Sequence, residues 1–358
     1  MKPTKKEFFK RQITLSEIGE NGQQKLQNAS VLVVGCGGLG SPIAVHLASS
    51  GVGKIHLVDF DTVDVTNLHR QVYYSLDDVG KSKAKTLSEF IKKRAPYTDV
   101  SFSNFSITKE NVFDLISNYD IIVDGTDSLP TKYLLNDACV LKDKPLVYGS
   151  LYKFDGYVSI FNVLQKDGTR SSNLRDAFPT MATDIPNCEE AGTLNAIVAT
   201  IASLQVNEVL KLITGIGKPI TNQLLIYNVL QNSQLKMKLT SKVTKKEIQQ
   251  IFDTESYFDA SCELRNPDWL ITSKELKQQI NNVKIISVIA NTETTYPFKI
   301  DKNIPLSKLE NSNFKPLENK TYVLICMKGN SSYTATKILK AKFPKTNFLS
   351  LEGGISTF

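Results

Sequence analysis

The chain has 358 residues, 41% of them hydrophobic and 22% charged, so it is long enough for two domains with a core in each. No run approaches the ~18 apolar residues of a membrane span, and the basic opening stretch MKPTKKEFFKRQITL lacks the apolar centre of a signal peptide. A net charge of +7 with no block of like charges fits a solvated lysine-rich surface better than nucleic-acid binding.

The first 30 residues read as a helical lead-in holding Phe8-Phe9-Lys10-Arg11-Gln12 and a second patch at residues 23–26. Val31-Leu32-Val33-Val34 is an apolar β-branched run, as expected of a strand buried in a parallel sheet. It runs into Gly35-Cys36-Gly37-Gly38-Leu39-Gly40, which satisfies G-x-G-x-x-G, and apolar positions then recur at helical spacing through Ile43, Ala44, Leu47 and Ala48. A second strand, residues 55–58, ends on Asp59. Such glycines bring backbone N–H groups against a phosphate at a helix N-terminus, and Asp59 is placed to bond ribose hydroxyls. This is a nucleotide site, and the loop alone does not say for which nucleotide.

Residues 61–71 form a polar connection that holds Asn67 and Arg70. An amphipathic helix follows Gly80 over residues 81–94. YDIIVD, residues 119–124, is a third buried strand, with Gly125-Thr126-Asp127 directly behind it. Residues 131–141 read as helix, 145–148 and 156–161 as strands. This alternation predicts an α/β fold built on a doubly wound parallel sheet.

The charges outside the glycine loop favour ATP over a dinucleotide. A pyrophosphate bridge can be held by backbone N–H groups alone, whereas a triphosphate being cleaved needs cations and a metal ligand. Arg70, Lys83, Arg11 and Asn67 are candidates for the phosphates. Asp127, at the carboxyl end of a strand, is the candidate metal ligand.

Arg11-Gln12, GCGGLG with Gly35, Gly37, Gly38 and Gly40, Asp59-Phe60-Asp61, Asn67 to Gln71, Gly80 to Lys83 and Asp124 to Asp127 together resemble the ThiF/MoeB/HesA family. The match covers roughly residues 5–240, with six motifs in order. The resemblance implies a Rossmann-like domain that uses ATP and Mg²⁺ to adenylate the C-terminal glycine of a ubiquitin-like sulfur carrier ending in Gly-Gly. It also implies roles: Gly38, Asp59 and Asp61 at the nucleotide, Asn67, Arg70 and Lys83 on phosphates, Asp127 on Mg²⁺, and Arg11 reaching the ATP of the partner in a homodimer.

The chain departs from its relatives in its cysteines. Only Cys36, Cys139, Cys188, Cys262 and Cys326 are present, scattered and never spaced C-x-x-C. That usage fits a reducing cytoplasm and supplies no disulfide framework. The family's structural zinc requires two paired cysteines on each side of the long helix, so no zinc is expected. His46, His56 and His69 are isolated and form no metal-ligand set. Residues 164–186 are polar and end near Cys188, ahead of a long apolar helix over residues 196–213. In some relatives the cysteine matching Cys188 bonds the carrier covalently, and in others it is dispensable. Cys36, between two loop glycines, reads as a packing residue.

Residues 241–267 read as a linker with one short helix. Residues 268–358 resemble a rhodanese-like domain. A strand at residues 321–325 delivers Cys326-Met327-Lys328-Gly329-Asn330-Ser331-Ser332, then a helix over 333–342 and a strand over 347–351. A cysteine at a strand end, opening a short loop into a helix, sits in a cradle of N–H groups that favours a thiolate and holds a persulfide. The usual Asp-Val-Arg behind the domain's first strand is replaced by Ser287-Val288-Ile289-Ala290. The fusion implies an adenylyltransferase that is also a sulfurtransferase, with a persulfide donor and a carrier leaving as thiocarboxylate. Two other classes stay open. One is an NAD-dependent oxidoreductase, which gives Arg70, Lys83 and Asp127 no task; the other is a non-catalytic scaffold with a degenerate rhodanese domain.

Overall fold

Strands β1 (Ser30–Val34) and β4 (Ile121–Asp124) lie side by side at the centre of the first sheet, although 86 residues separate the end of one from the start of the other. The molecule is represented by a computed structural model describing residues 3–181, 192–257, 266–290, 294–309, 312–327 and 329–358. It divides into two units, Met1–Tyr257 and Phe258–Phe358. In the first unit, β2 (Lys54–Val58) and β3 (Asp99–Ser103) extend the sheet on one side of β1. On the other side come β4, β5 (Leu146–Tyr152), β6 (Asp155–Phe161), β7 (Gln223–Asn228) and β8 (Ser233–Lys238). The order is β3-β2-β1-β4-β5-β6-β7-β8.

Half of this sheet departs from the expected parallel arrangement. β3 to β5 are parallel, but β5 through β8 pair antiparallel. The reason is the connection. Only Lys153 and Phe154 separate β5 from β6, and a parallel return needs a dozen residues or more. Lys153 takes a positive φ of 54° to make the turn.

Alternate residues of β1 serve opposite cores, as the pleat requires. Val31 and Val33 pack with the helices Gly40–Ser49 and Asn195–Thr214. Leu32 and Val34 face the helix Leu129–Leu141 instead. Contrary to the expectation from runs of residues, Asn195–Thr214 is long and apolar enough to cross a membrane. Here it packs on β5 and β6, burying Ile197, Ile201, Ala202 and Val209. The helix Lys245–Thr254, read from the sequence as part of a linker, packs on Leu129–Leu141 and buries Ile248 and Phe252.

The second unit is a five-stranded parallel sheet: β9 (Leu270–Ile271), β10 (Lys284–Ser287), β11 (Lys302–Asn303), β12 (Thr321–Ile325) and β13 (Asn347–Leu351). Their order is β11-β10-β12-β13-β9. Leu324 and Phe348 join Leu339 of the helix Asn330–Lys342 on one face, while Val323, Ile325 and Leu351 fill the other.

In the first sheet the chain leaves β1 for β2 on one side and returns through β4 on the other. A crevice opens at the carboxyl ends of β1 and β4, where the order reverses. The glycine loop follows β1 directly, and Gly125-Thr126-Asp127 follows β4.

Candidate functional site

Two turns meet in that crevice so closely that side chains are excluded. Gly35 has φ +85°, and a Cβ there would lie 2.8 Å from the carbonyl of Gly125. A Cβ on Gly40 would fall on the carbonyl oxygen of Gly35, and one on Gly125 would lie 2.8 Å from Gly40 Cα. Gly38 packs against Val198 of the helix Asn195–Thr214, which a Cβ there would meet at 2.9 Å. A Cβ on Gly37 would meet the Gln71 amide at 3.3 Å, and one on Gly38 would meet Arg70 Cγ at 3.7 Å. The helix Gly40–Ser49 starts at this loop, so its N-terminal dipole points into the crevice.

Asp59 closes one side of the loop. Its Oδ2 accepts the N–H of Cys36 at 2.6 Å, and Oδ1 accepts the N–H of Asp61 at 2.8 Å. Burial pushes this carboxyl above its ordinary value, against the opposing pull of Lys83 and those two N–H groups. Lys83 is itself buried; its ammonium pairs with Asp61 and donates to Asn67 Oδ1 at 3.1 Å. Asn67 Oδ1 also accepts from Gln71 Nε2 at 3.2 Å. Arg70, partly exposed, makes one long contact to the Thr66 carbonyl at 3.4 Å.

On the other side, Asp127 is exposed, and no hydrogen bond or ion pair reaches it from the described residues. Among those residues no group of three or more His, Cys, Asp or Glu gathers as a metal cage. A lone, free carboxylate next to a phosphate-binding loop nonetheless fits Mg²⁺, which takes one or two carboxylates and completes its shell with water and phosphate oxygens. The turn that carries Asp127 is fixed from below. Asp124 Oδ1 accepts the N–H and hydroxyl of Thr126 at 3.0 and 2.8 Å, and Asp124 Oδ2 pairs with Lys132 at 2.9 Å.

Glycines 35, 37, 38 and 40 with Asp59, Asp61, Asn67, Arg70, Lys83 and Asp127 therefore line one crevice. Arg11 does not join them. It is exposed on the helix Lys10–Ile13, whose Gln12 donates to the Ser50 carbonyl at 2.9 Å. Ser50 ends the helix that begins at the loop, so Arg11 stands roughly 15 Å away along its axis. Cys36 is fully buried, and burial pushes its thiol well up, as a packing residue requires. Cys188 and Cys262 lie outside the described residues.

Sequence reasoning assigned no role to four residues, two beside the glycine loop and two buried beneath the Gly125-Thr126-Asp127 turn. Gln71 is buried beside Gly37, with its carbonyl oxygen lacking any partner. Tyr74 donates to the Cys36 carbonyl at 2.7 Å and so ties the loop to the start of the helix Lys83–Arg94. The other two are Asp124 and Lys132. Gln71 closes the motif that begins at Asn67, so its signal was present in the sequence, whereas nothing local to the helix Leu129–Leu141 marks Lys132 as buried.

The second unit presents Cys326 at the end of β12. Its Sγ accepts the N–H groups of Gly329 at 3.1 Å and Ser332 at 3.3 Å. The Ser332 hydroxyl lies 3.3 Å from Sγ and 2.8 Å from the hydroxyl of Ser350. Gly329 has φ +85° at the head of the helix Asn330–Lys342. Two N–H groups and a hydroxyl are thus turned toward the sulfur at the head of that helix.

The sequence matches the ThiF family over residues 9–248. A probable adenylyltransferase/sulfurtransferase MoeZ of Mycobacterium tuberculosis is 35% identical, across 97% of this chain and 91% of that protein. A sulfur carrier protein adenylyltransferase of Thermus thermophilus is 41% identical over 66% of this chain and 89% of its own length. In fold, the chain is similar to Escherichia coli MccB crystallised with succinimide. The TM-score is 0.58 at 24% identity, covering 66% of this chain and 73% of that one. With its motifs assembled around one crevice and its match running through most of the first unit, the chain belongs to the ThiF family.

Proposed function

We propose that this chain is an adenylyltransferase and sulfurtransferase that converts the C-terminal glycine carboxylate of a ubiquitin-like sulfur carrier, ending in Gly-Gly, into a thiocarboxylate. The observation that carries the reading is a free Asp127 carboxylate on the turn that abuts the glycine loop, together with a buried Lys83 ammonium bonded to Asn67. A dinucleotide has no use for that arrangement. ATP lies with its ribose on Asp59 and its phosphates against the loop N–H groups, Asn67, Arg70 and Lys83. Asp127 would hold Mg²⁺, which would neutralise charge as pyrophosphate departs. Lys83 is released from Asp61 toward the phosphates, and the crevice keeps water from the acyl-adenylate. The carrier carboxylate attacks the α-phosphorus, and the bond to pyrophosphate breaks.

Sulfur then comes from a persulfide on Cys326, charged by a persulfide donor. Its terminal sulfur attacks the acyl carbon, and AMP leaves with the bonding pair. The acyl disulfide is opened by a second thiolate, from Cys188 or an external thiol, which takes Cys326 Sγ and frees the thiocarboxylate. The exposed Arg11, remote from its own crevice, serves the site of a second subunit in a homodimer. No zinc is required, and elemental analysis finding one zinc per chain would contradict that part.

Exchange of labelled pyrophosphate into ATP tests the first half. Exchange should depend on a Gly-Gly-ended carrier, vanish in Asp127→Ala and survive in Cys326→Ala. Tight NADH binding without ATP binding would overturn the reading.

A further inference from the structure

Beneath the Gly125-Thr126-Asp127 turn lies an ion pair with almost no access to water. The side chain of Asp124 is 0% exposed and that of Lys132 is 2% exposed. Such a pair adds little net stability, because desolvation of both charges cancels most of their attraction. Folding alone gives no reason for it, but the turn above it does. Both donors of Thr126 end on Asp124 Oδ1. Oδ2 is occupied by the Lys132 ammonium, which also donates to the Gly149 carbonyl at 2.7 Å and lies 5.2 Å over the Tyr148 ring. The backbone of the turn is held as well: the Asp124 carbonyl accepts from Gln205 Nε2 at 2.8 Å, and the Gly125 N–H donates to Val34 at 2.8 Å. The next residue along the chain is Asp127.

We propose that Lys132 and Asp124 are positioning residues that set the Asp127 carboxylate for the cation accompanying the nucleotide. The inference rests on the reading of Asp127 as metal ligand. Lys132 compensates the buried carboxylate and is itself locked by β5 through Gly149. With its charge matched, Asp124 can hold both Thr126 donors at once, and Thr126 then fixes the backbone from which Asp127 projects. Removing the ammonium leaves a buried charge that must draw in water or a proton. Either change loosens Thr126, and Asp127 with it, while the glycine loop on the far side of the crevice keeps its contacts.

The test measures how far Mn²⁺ tightens binding of a non-hydrolysable ATP analogue to the full-length protein, by titration calorimetry with Mn²⁺ and with EDTA. Lys132→Met should bind the metal-free analogue like wild type yet lose about tenfold of the tightening by Mn²⁺, the usual effect of removing an outer support of a metal ligand. Lys132→Arg, which keeps the charge, should recover part of it. Equal losses with and without metal in Lys132→Met would mean a merely structural role and overturn the inference. Should Lys132→Met fail to fold, Thr126→Val decides: it leaves the pair intact, removes one donor and should also reduce the tightening, whereas an unchanged value overturns the proposal. Asp127→Asn separates the two levels. Full tightening in that variant would overturn the metal-ligand reading and this inference with it; tightening lost there but kept in Lys132→Met would overturn the inference alone.

Discussion

A methyl group on Gly40 has nowhere to go, because the carbonyl oxygen of Gly35 already occupies its position. The contact is backbone on backbone, so relief requires the loop to move. Gly40→Ala should cost about 1–3 kcal/mol by overpacking and abolish ATP binding. Gly215, which caps the helix Asn195–Thr214 at φ +79° with open space around it, makes the control. There alanine should cost about 1 kcal/mol of backbone strain and leave ATP affinity unchanged, as urea denaturation and calorimetry would show. Asp59 gives a pH signature. Its carboxyl titrates above the ordinary value when folded, so its contribution to stability is full below that ordinary value and is lost as pH rises through the raised one. Without nucleotide, wild type should therefore lose stability relative to Asp59→Asn over the pH range that opens at the ordinary carboxylate value, about 4, and extends upward. A difference constant across that range would refute the assignment. The places of Gly40 and Asp59 at the loop were legible in the sequence because they are local to a strand–loop–helix unit. Lys132 was not, because a lysine on a helix is exposed unless the fold closes over it, and closure depends on β5, fourteen or more residues away in the chain.

Apolar β-branched runs made β1, β2 and β4 legible as buried parallel strands. β8 carried no such signal: its sequence, SQLKMK, is exposed at every position, and pairing with β7 alone defines it. The helix Lys245–Thr254 was legible as a helix, but its attachment was not. Phe252 packs on Phe113 with ring centroids 4.8 Å apart, and the Tyr257 hydroxyl donates to Asp137, which also receives the Arg175 guanidinium at 2.7 Å. These contacts extend the first unit to Tyr257. Tyr257→Phe should lower its stability by about 1 kcal/mol, the worth of one hydrogen bond. A fragment of residues 1–240 should unfold at clearly lower urea than one of residues 1–257, since it also forfeits the burial of Ile248 and Phe252. Equal midpoints would return the boundary to residue 240.

At the scale of the whole chain, two chemistries occupy two units. Adenylation needs cations, a metal ligand and a closed loop, and the residues proposed for all three lie in the first. Sulfur delivery needs a nucleophilic sulfur held among N–H donors, and Cys326 in the second unit has that setting. The order of motifs made this division legible, since each motif lies within one unit and needs no contact between them. The proposed function requires the units to act on one carrier in turn: first its carboxylate is activated, then one oxygen is exchanged for sulfur. The intact mass of a Gly-Gly-ended carrier, after incubation with ATP, Mg²⁺, a persulfide donor and this protein, tests that sequence most directly. The expected result is a mass gain equal to replacement of one oxygen by sulfur, lost without ATP, lost in Asp127→Ala and lost in Cys326→Ala even though that variant still exchanges pyrophosphate. Full thiocarboxylate formation by the Cys326 variant, with the same donor as sole sulfur source, would contradict it.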